Sequence, residues 1–297
     1  MKILVTGSEG NIGSILVPYL RNKGHDVFCI DIVQKFEDNF KTVDINDGAD
    51  LIDVFYQFRP DVVYHMAAMV SRVTCEYSPV TTMRTNVYGT SNIVYLCKQI
   101  NAKLIFFSTS EVFGNIGGKL EEGRTDLHPN NVYGLSKLMG EQLVTYESKN
   151  GLKAIIVRPF MFYHENETMG NHRSAIIRFV SSLIEKKKIE VHKQSMRSWM
   201  HLDDAVVVLE KLSTIDYFVI LNIGNPEFHL MEFIAEKICD KLNIAYDDYV
   251  IETDLPKKMT LTKIADFKLL ASIIDHQCTV SLDLGLNRVI ESVKKRL

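Results

Sequence analysis

The stretch from Lys2 to Asp31 constrains the fold more than any other part of the chain. Lys2-Ile-Leu-Val-Thr6 is a short apolar, β-branched run, the pattern of a strand buried on both faces. It leads directly into Gly7-Ser-Glu-Gly10-Asn11-Ile12-Gly13, and a helix follows with Ile12, Ile15, Leu16, Tyr19 and Leu20 on one face. Lys23 and Gly24 supply the closing charge and cap, and Val27-Phe-Cys-Ile30 is a second strand ending on Asp31. Strand, glycine turn, helix, strand and acid together form a dinucleotide-binding unit. The glycines let the backbone turn tightly and approach a pyrophosphate seated on the helix N-terminus. Asp31, with Ile32 beside it, can accept both hydroxyls of an adenosine ribose. Its charge repels a 2′-phosphate and no basic residue follows before Lys35, so NAD is favoured over NADP. Pro18 falls inside the helix, where the lost bond to the Ser14 carbonyl predicts a kink.

The rest of the chain extends this unit into a domain. Lys41–Asp44, Asp61–Met66, Lys103–Ser108 and Ala154–Arg158 read as strands, separated by helices over Asp50–Phe58, Pro79–Ile100 and Tyr133–Asn150. Strict alternation of this kind gives an α/β fold with a doubly wound parallel sheet, the Rossmann arrangement, over residues 1–160. The alternation lapses after Arg158. Residues 161–297 are expected to form a smaller C-terminal α/β lobe for substrate, with helices at Ala175–Lys187, Met231–Leu242 and Asp283–Lys295 and strands at Ile189–Val191 and Val219–Ile223.

Composition excludes several classes. With 297 residues, 24% charged, and a net charge of −3, nothing points to nucleic acid as a partner. No apolar run approaches the ~20 residues needed to cross a bilayer. Met1 leads straight into the first strand, so no membrane association and a cytoplasmic location are expected. The five cysteines, odd in number and widely spaced, read as free thiols. His164, His172, His192 and His201 stand in no metal-ligand spacing, and no metal is expected.

Two further stretches carry chemistry. Leu104 to Ser108 continues as Thr109-Ser110-Glu111-Val112-Phe113-Gly114, and later comes Asn131-Val-Tyr133-Gly-Leu-Ser-Lys137-Leu-Met-Gly-Glu141. Tyr133 and Lys137, four apart on a helix, share a face. An adjacent ammonium stabilises a phenolate and is expected to lower the tyrosine pKa. With the dinucleotide unit, these residues resemble the extended short-chain dehydrogenase/reductase superfamily, in its nucleotide-sugar branch. The resemblance runs through His65-Met66-Ala67-Ala68, Asn86 with Gly89-Thr90, Arg158-Pro159-Phe160, Arg197-Ser-Trp-Met-His-Leu-Asp-Asp204 and Asn222-Ile-Gly-Asn-Pro226.

The resemblance implies an NAD enzyme that transiently oxidises carbon 4 of a nucleotide sugar. Tyr133 would take the proton from the 4-hydroxyl, Thr109 or Ser110 would steady that oxygen, and Lys137 would also hold the nicotinamide ribose. Asp44 and Ile45 resemble the pair holding the adenine, and Met66, Ala67 and Ala68 the loop beside the diphosphate. Asn86 resembles the residue fixing the active-site loops, and Pro159 and Phe160 the segment behind the nicotinamide. Arg197, and secondarily Arg173, would contact substrate phosphate or carboxylate. A homodimer is implied, paired through the helices over Asn86–Gln99 and Tyr133–Asn150.

The fate of the 4-keto sugar turns on Glu111. Thr-Ser-Glu-Val looks like the sequence in UDP-glucuronate decarboxylases, and GDP-mannose 4,6-dehydratases share Thr-Ser-Glu. The dTDP-glucose 4,6-dehydratases carry Asp where this chain has Ser110. Decarboxylase or 4,6-dehydratase chemistry therefore leads, with a UDP-hexose 4-epimerase or 4-ketoreductase as alternatives and a non-catalytic NAD-binding sensor behind them. The chain departs from its relatives at Met161, where an Asn that binds phosphate is usual. It also lacks an arginine in Leu255–Lys263, where Lys257, Lys258 or Lys263 could substitute.

Overall fold

The computed structural model describes residues 1–170, 173–256 and 258–297, so His172 and Lys257 lie outside the described residues. The buried first strand forms as expected: β1 (Lys2–Thr6) leads through the glycine turn into α1 (Gly13–Asn22), which contains Pro18, and then β2 (Asp26–Asp31). The expected strand at Lys41–Asp44 is shorter and earlier, β3 (Phe40–Thr42), because Asp44 turns back to bind Asn46. Asp47 caps α2 (Gly48–Phe58) through bonds from Ala49 and Asp50, and β4 (Val62–His65) follows.

The single long helix expected over Pro79–Ile100 is three pieces. A short α3 (Arg72–Tyr77) precedes α4 (Pro79–Met83), a π-helical segment covers Arg84–Gly89, and α5 (Thr90–Ile100) completes the run. Gly89, the last residue of the π-helical segment, packs closely on Ile45: a Cβ there would lie 2.6 Å from that side chain. Then come β5 (Lys103–Phe107), a 3₁₀ turn at Ser110–Phe113, α6 (Val132–Lys149), β6 (Ala154–Pro159) and β7 (Met161–Tyr163). The remainder comprises α7 (Ala175–Ile184), β8 (Ile189–His192), β9 (Met196–His201), α8 (Leu202–Leu212), β10 (Val219–Ile223) and β11 (Phe228–Leu230). The chain closes with α9 (Met231–Leu242), α10 (Tyr246–Tyr249), β12 (Val250–Thr253), α11 (Lys268–Ile273) and α12 (Leu282–Arg296).

Two compact units result. The first comprises residues 1–113, 128–158 and 206–221. Its sheet has the order β10-β6-β5-β4-β1-β2-β3, and β1 through β6 pair in parallel. Val219–Ile223, expected in the smaller lobe, is instead the outer strand of this sheet. Its neighbour β6 lies some sixty residues back, so adjacency along the chain does not report adjacency in the sheet. Strand order reverses at β1, between β2 and β4, which opens a crevice at the carboxyl ends of β1 and β4. Lys103 is buried in β5 and extends its ammonium to the Ser213 carbonyl at 2.7 Å.

The second unit comprises residues 114–127, 159–205 and 222–297. It contains a three-stranded sheet, β11-β9-β7, and a parallel pair, β12 with β8. Its core includes Tyr163, Trp199, Ile177, Val180, Ile234, Leu286 and Val289. All five cysteines are free, four of them buried. No helix among the described residues is long and apolar enough to cross a membrane.

Candidate active site

The glycine turn shows by its crowding why these positions have no side chain. Gly7 adopts φ 71°, and a Cβ there would lie 2.7 Å from the Ala67 backbone nitrogen. Gly10 closes the turn by donating to the Gly7 carbonyl, and Asn11 and Ile12 lead into Gly13 at the start of α1. Asp31 accepts from the Glu9 and Val33 amides at 3.0 and 3.1 Å, which fixes its carboxylate beside the turn. Ile32 is strongly exposed. Asp44 is exposed, whereas Ile45 is buried and its carbonyl accepts from Asn92. A cradle that any Cβ would fill, with a fixed acid after β2, fits a dinucleotide.

Met66, Ala67 and Ala68 are joined to α6 by a continuous hydrogen-bond relay. The Ala67 amide donates to Thr6 Oγ1, which lies 2.8 Å from His65 Nδ1. His65 Nε2 lies 3.0 Å from Thr90 Oγ1, and that hydroxyl donates to the Asn86 carbonyl. The Thr90 proton is thereby assigned, so His65 Nε2 donates to Thr90 Oγ1, and in the neutral ring Nδ1 accepts from the Thr6 hydroxyl. Burial, aided by the charge of Lys137, pushes the His65 pKa down to about 3. Asn86 sits in the π-helical segment and clasps Met69 through both backbone groups. It also donates to Ser136 Oγ at 2.9 Å, whose hydroxyl bonds the Tyr133 carbonyl.

The candidate catalytic groups gather between β5 and the start of α6. Thr109 hydrogen-bonds the Tyr133 hydroxyl and also accepts from the Glu111 amide. Ser110 is buried in the 3₁₀ turn. Lys137 is buried, donates to the Phe107 carbonyl at 2.8 Å, and lies 5.1 Å from the centre of the Phe106 ring. Burial pushes the Lys137 pKa down to about 8 against the raising effects of Cys75 and Glu141. The expected lowering of Tyr133 is not observed. Burial raises the phenol above its ordinary value and outweighs the Thr109 hydrogen bond, with the Glu111 charge raising it further.

Sequence reasoning quoted Asn131 and Glu141 within motifs without assigning them a role. Asn131 caps α6 through Gly134 and donates to Glu111 Oε2 at 2.9 Å. Glu141 receives Arg158 at both carboxylate oxygens, at 2.8 and 2.7 Å, and Ser108 as well. The signal for Asn131 was an asparagine just ahead of a helix, a capping residue, and for Glu141 a carboxylate at a helix position otherwise facing the core.

The remaining candidates belong to the second unit. Pro159 ends β6; Phe160 binds the Ile223 carbonyl and packs edge-on against Phe267. Arg197 is buried and donates to the Met196, Thr260 and Leu261 carbonyls. Arg173 is exposed, next to residues outside the described set. Met161 lies in β7 and packs against the second core, and Lys263 is buried. His164 comes together with His201 and Asp203, some forty residues on, and one ligating atom of each lies within 4.8 Å of the others. Both Nδ1 atoms accept backbone N–H groups, from Asn166 and Asp203 respectively. Each Nε2 therefore carries a proton that it donates to Asp203 or Glu165, giving a hydrogen-bonded cluster with no ring lone pair turned inward.

Comparison with known proteins agrees with this geometry. The chain is 30% identical to the Arabidopsis thaliana UDP-glucuronic acid decarboxylase 5, with all of the chain and 90% of that protein aligned. Among solved structures, the Thermotoga maritima UDP-glucose 4-epimerase with UDP-glucose superposes with a TM-score of 0.91 at 23% identity, covering 100% of this chain and 99% of that one. MoeE5 in complex with UDP-glucuronic acid and NAD superposes with a TM-score of 0.90 at 22% identity, covering both chains fully. The model of the NAD dependent epimerase/dehydratase family matches residues 3–224, and the chain belongs to that family, with NAD as its cofactor.

Proposed function

We propose that this protein is a decarboxylase of a nucleotide-linked uronic acid, with UDP-glucuronate as the substrate to test first. The observation that carries the reading is the position of Glu111. Its carboxylate is buried one turn from Thr109, held by Asn131, on the same short segment that hydrogen-bonds Tyr133. A buried carboxylate beside the redox hydroxyl is superfluous for inversion at carbon 4 but suits proton transfer at carbon 5. The named decarboxylase relative supports the same choice.

When bound, NAD would supply the hydride acceptor at carbon 4 and then, as the reduced cofactor, the hydride that restores it. Tyr133 takes the 4-hydroxyl proton, with Thr109 hydrogen-bonded to the reacting oxygen and the Lys137 ammonium offsetting the developing phenolate. The resulting β-keto acid loses carbon dioxide. Glu111, in its acid form after taking a proton from solvent, delivers that proton to carbon 5, and Tyr133 returns its proton to the carbon 4 oxygen as carbon 4 takes its hydride back. Gly7, Gly10, Gly13 and Asp31 would hold the dinucleotide, with Ile32, Asp44, Ile45, Met66, Ala67, Ala68 and Asn86 around it and Pro159 and Phe160 behind the nicotinamide. Arg197 and Arg173 remain the substrate-contacting candidates. The homodimer would pair α5 and α6, which leave Tyr95, Leu135, Met139 and Tyr146 exposed.

A UDP-hexose 4-epimerase is the second reading. Arg197 favours it, since two of its guanidinium nitrogens already donate to the backbone carbonyls of Met196, Thr260 and Leu261. Incubation with NAD and UDP-glucuronate, followed by mass spectrometry, separates the two. Loss of carbon dioxide that Tyr133→Phe abolishes and Glu111→Gln slows by about a hundredfold or more supports the decarboxylase. An unchanged mass with an altered carbon 4 signal on UDP-glucose overturns it in favour of the epimerase.

A further inference from the structure

Glu111 is anchored to the start of α6 by one side chain with two functions. Asn131 is buried, and its Oδ1 accepts from the Gly134 amide at 2.8 Å, closing the first turn of the helix. Its Nδ2 donates to Glu111 Oε2 at 2.9 Å and to Asn130 Oδ1 at 3.0 Å. The backbones are equally close: a Cβ on Gly134 would lie 2.8 Å from the Glu111 carbonyl oxygen. Tyr133 stands between the two anchoring residues, so the carboxylate and the phenol are referenced to the same helical turn.

We propose that Asn131 is the positioning residue for Glu111 and that its donor amide, beyond its capping oxygen, is required for the proton transfer at carbon 5. This rests on the decarboxylase reading. Asn, Asp and Ser are comparable helix caps. Only the carboxamide caps with an acceptor while presenting a donor to a carboxylate at this reach. Serine is too short to span to Glu111, and aspartate has no donor for the Glu111 oxygen that Nδ2 reaches and repels it whenever Glu111 is ionised. Capping alone and positioning therefore predict opposite rank orders. Capping makes Asn131→Asp the mildest change and Asn131→Ala the worst. Positioning makes Asn131→Asp worse than Asn131→Ser, although aspartate is the better isostere.

The experiment uses the full chain with NAD and UDP-glucuronate. Single-turnover absorbance reports formation of reduced cofactor, and mass spectrometry reports released keto and reduced products. Thermal melting of each variant reports the cap independently. Asn131→Ser and Asn131→Asp should form reduced cofactor at close to the wild-type rate. They should then slow the later steps by about tenfold and a hundredfold respectively, and release more 4-keto product, while melting within a few degrees of wild type. In a Glu111→Gln background, Asn131→Ser should add nothing. Activity that follows the melting order, or an undiminished effect of Asn131→Ser in that background, overturns the proposal. Wild-type protein that never releases carbon dioxide defeats the decarboxylase reading itself, a result visible before any variant is made.

Discussion

Replacing Lys137 by methionine should abolish turnover and yet relieve the folded state of a buried charge. The ammonium is pushed from its ordinary 10.5 down to about 8 by burial. At about 1.4 kcal/mol per pH unit, this corresponds to ~3 kcal/mol against the folded state at neutral pH. The lost bond to the Phe107 carbonyl works the other way, by ~1–3 kcal/mol. Net stability at pH 7 should then change by no more than about 2 kcal/mol. The pH dependence is the sharper test. Between pH 8 and 10.5 the unfolded lysine holds a proton that the folded one has lost, so wild-type stability rises with pH in that window. The variant lacks the term, and wild type should gain on it by ~3 kcal/mol across those pH values. Urea denaturation of cofactor-stripped protein at pH 7, 8, 9 and 10 measures this. A stability difference that stays constant with pH would refute the claim that burial depresses Lys137.

Three further outcomes are expected. His65 is neutral in the fold with its pKa near 3, so stability should be lost as pH falls from about 6.5 toward 3, where the unfolded histidine binds a proton first; urea midpoints of wild type and His65→Asn should converge at acid pH. Gly7→Ala forces a Cβ to within 2.7 Å of the Ala67 nitrogen at φ 71°. NAD affinity by calorimetry should drop by about tenfold or more (~1.4 kcal/mol). If the helices pair two subunits, Met139→Glu combined with Tyr146→Glu should yield monomers by sedimentation, because both side chains are exposed on one stripe of α6; an unchanged sedimentation coefficient excludes that face.

Much of the first unit was legible because period and punctuation are local. The β1 run, the glycine turn, the α1 face and Asp31 occupy thirty consecutive residues, and each is decided by its neighbours. What escaped was set at long range. The π-helical segment at Arg84–Gly89 carries contacts, Gly89 close on Ile45 and Asn86 gripping Met69, that no helical periodicity encodes. The place of β10 depends on which strand it meets after a long excursion. The sign of the Tyr133 shift was missed for the same reason: a Tyr-x-x-x-Lys spacing reports proximity, but burial decides the pKa, and burial is supplied by the whole fold.

Burial is also what unites the polar residues beneath the site. Lys137, Glu141, Arg158 and His65 are all nearly inaccessible, and each would be destabilising without a partner. Glu141 and Arg158 meet in a two-pronged ion pair, with Ser108 closing one carboxylate oxygen. His65 spends both nitrogens on threonine hydroxyls. Lys137 has one carbonyl, one aromatic face and the field of Glu141. Such pairs add little net stability over an apolar core, yet removing one member leaves the other exposed to the full desolvation penalty. Each element carrying a candidate catalytic group is thus tied to the rest by a buried polar contact. The helix of Tyr133 and Lys137 is tied through Asn131, Ser136 and Glu141, the strand before Thr109 through Ser108, and the loop after β4 through Asn86. A fold that needed only stability could fill these positions with leucine; the proposed site, which would hold a phenol, an ammonium and a carboxylate in register, could not.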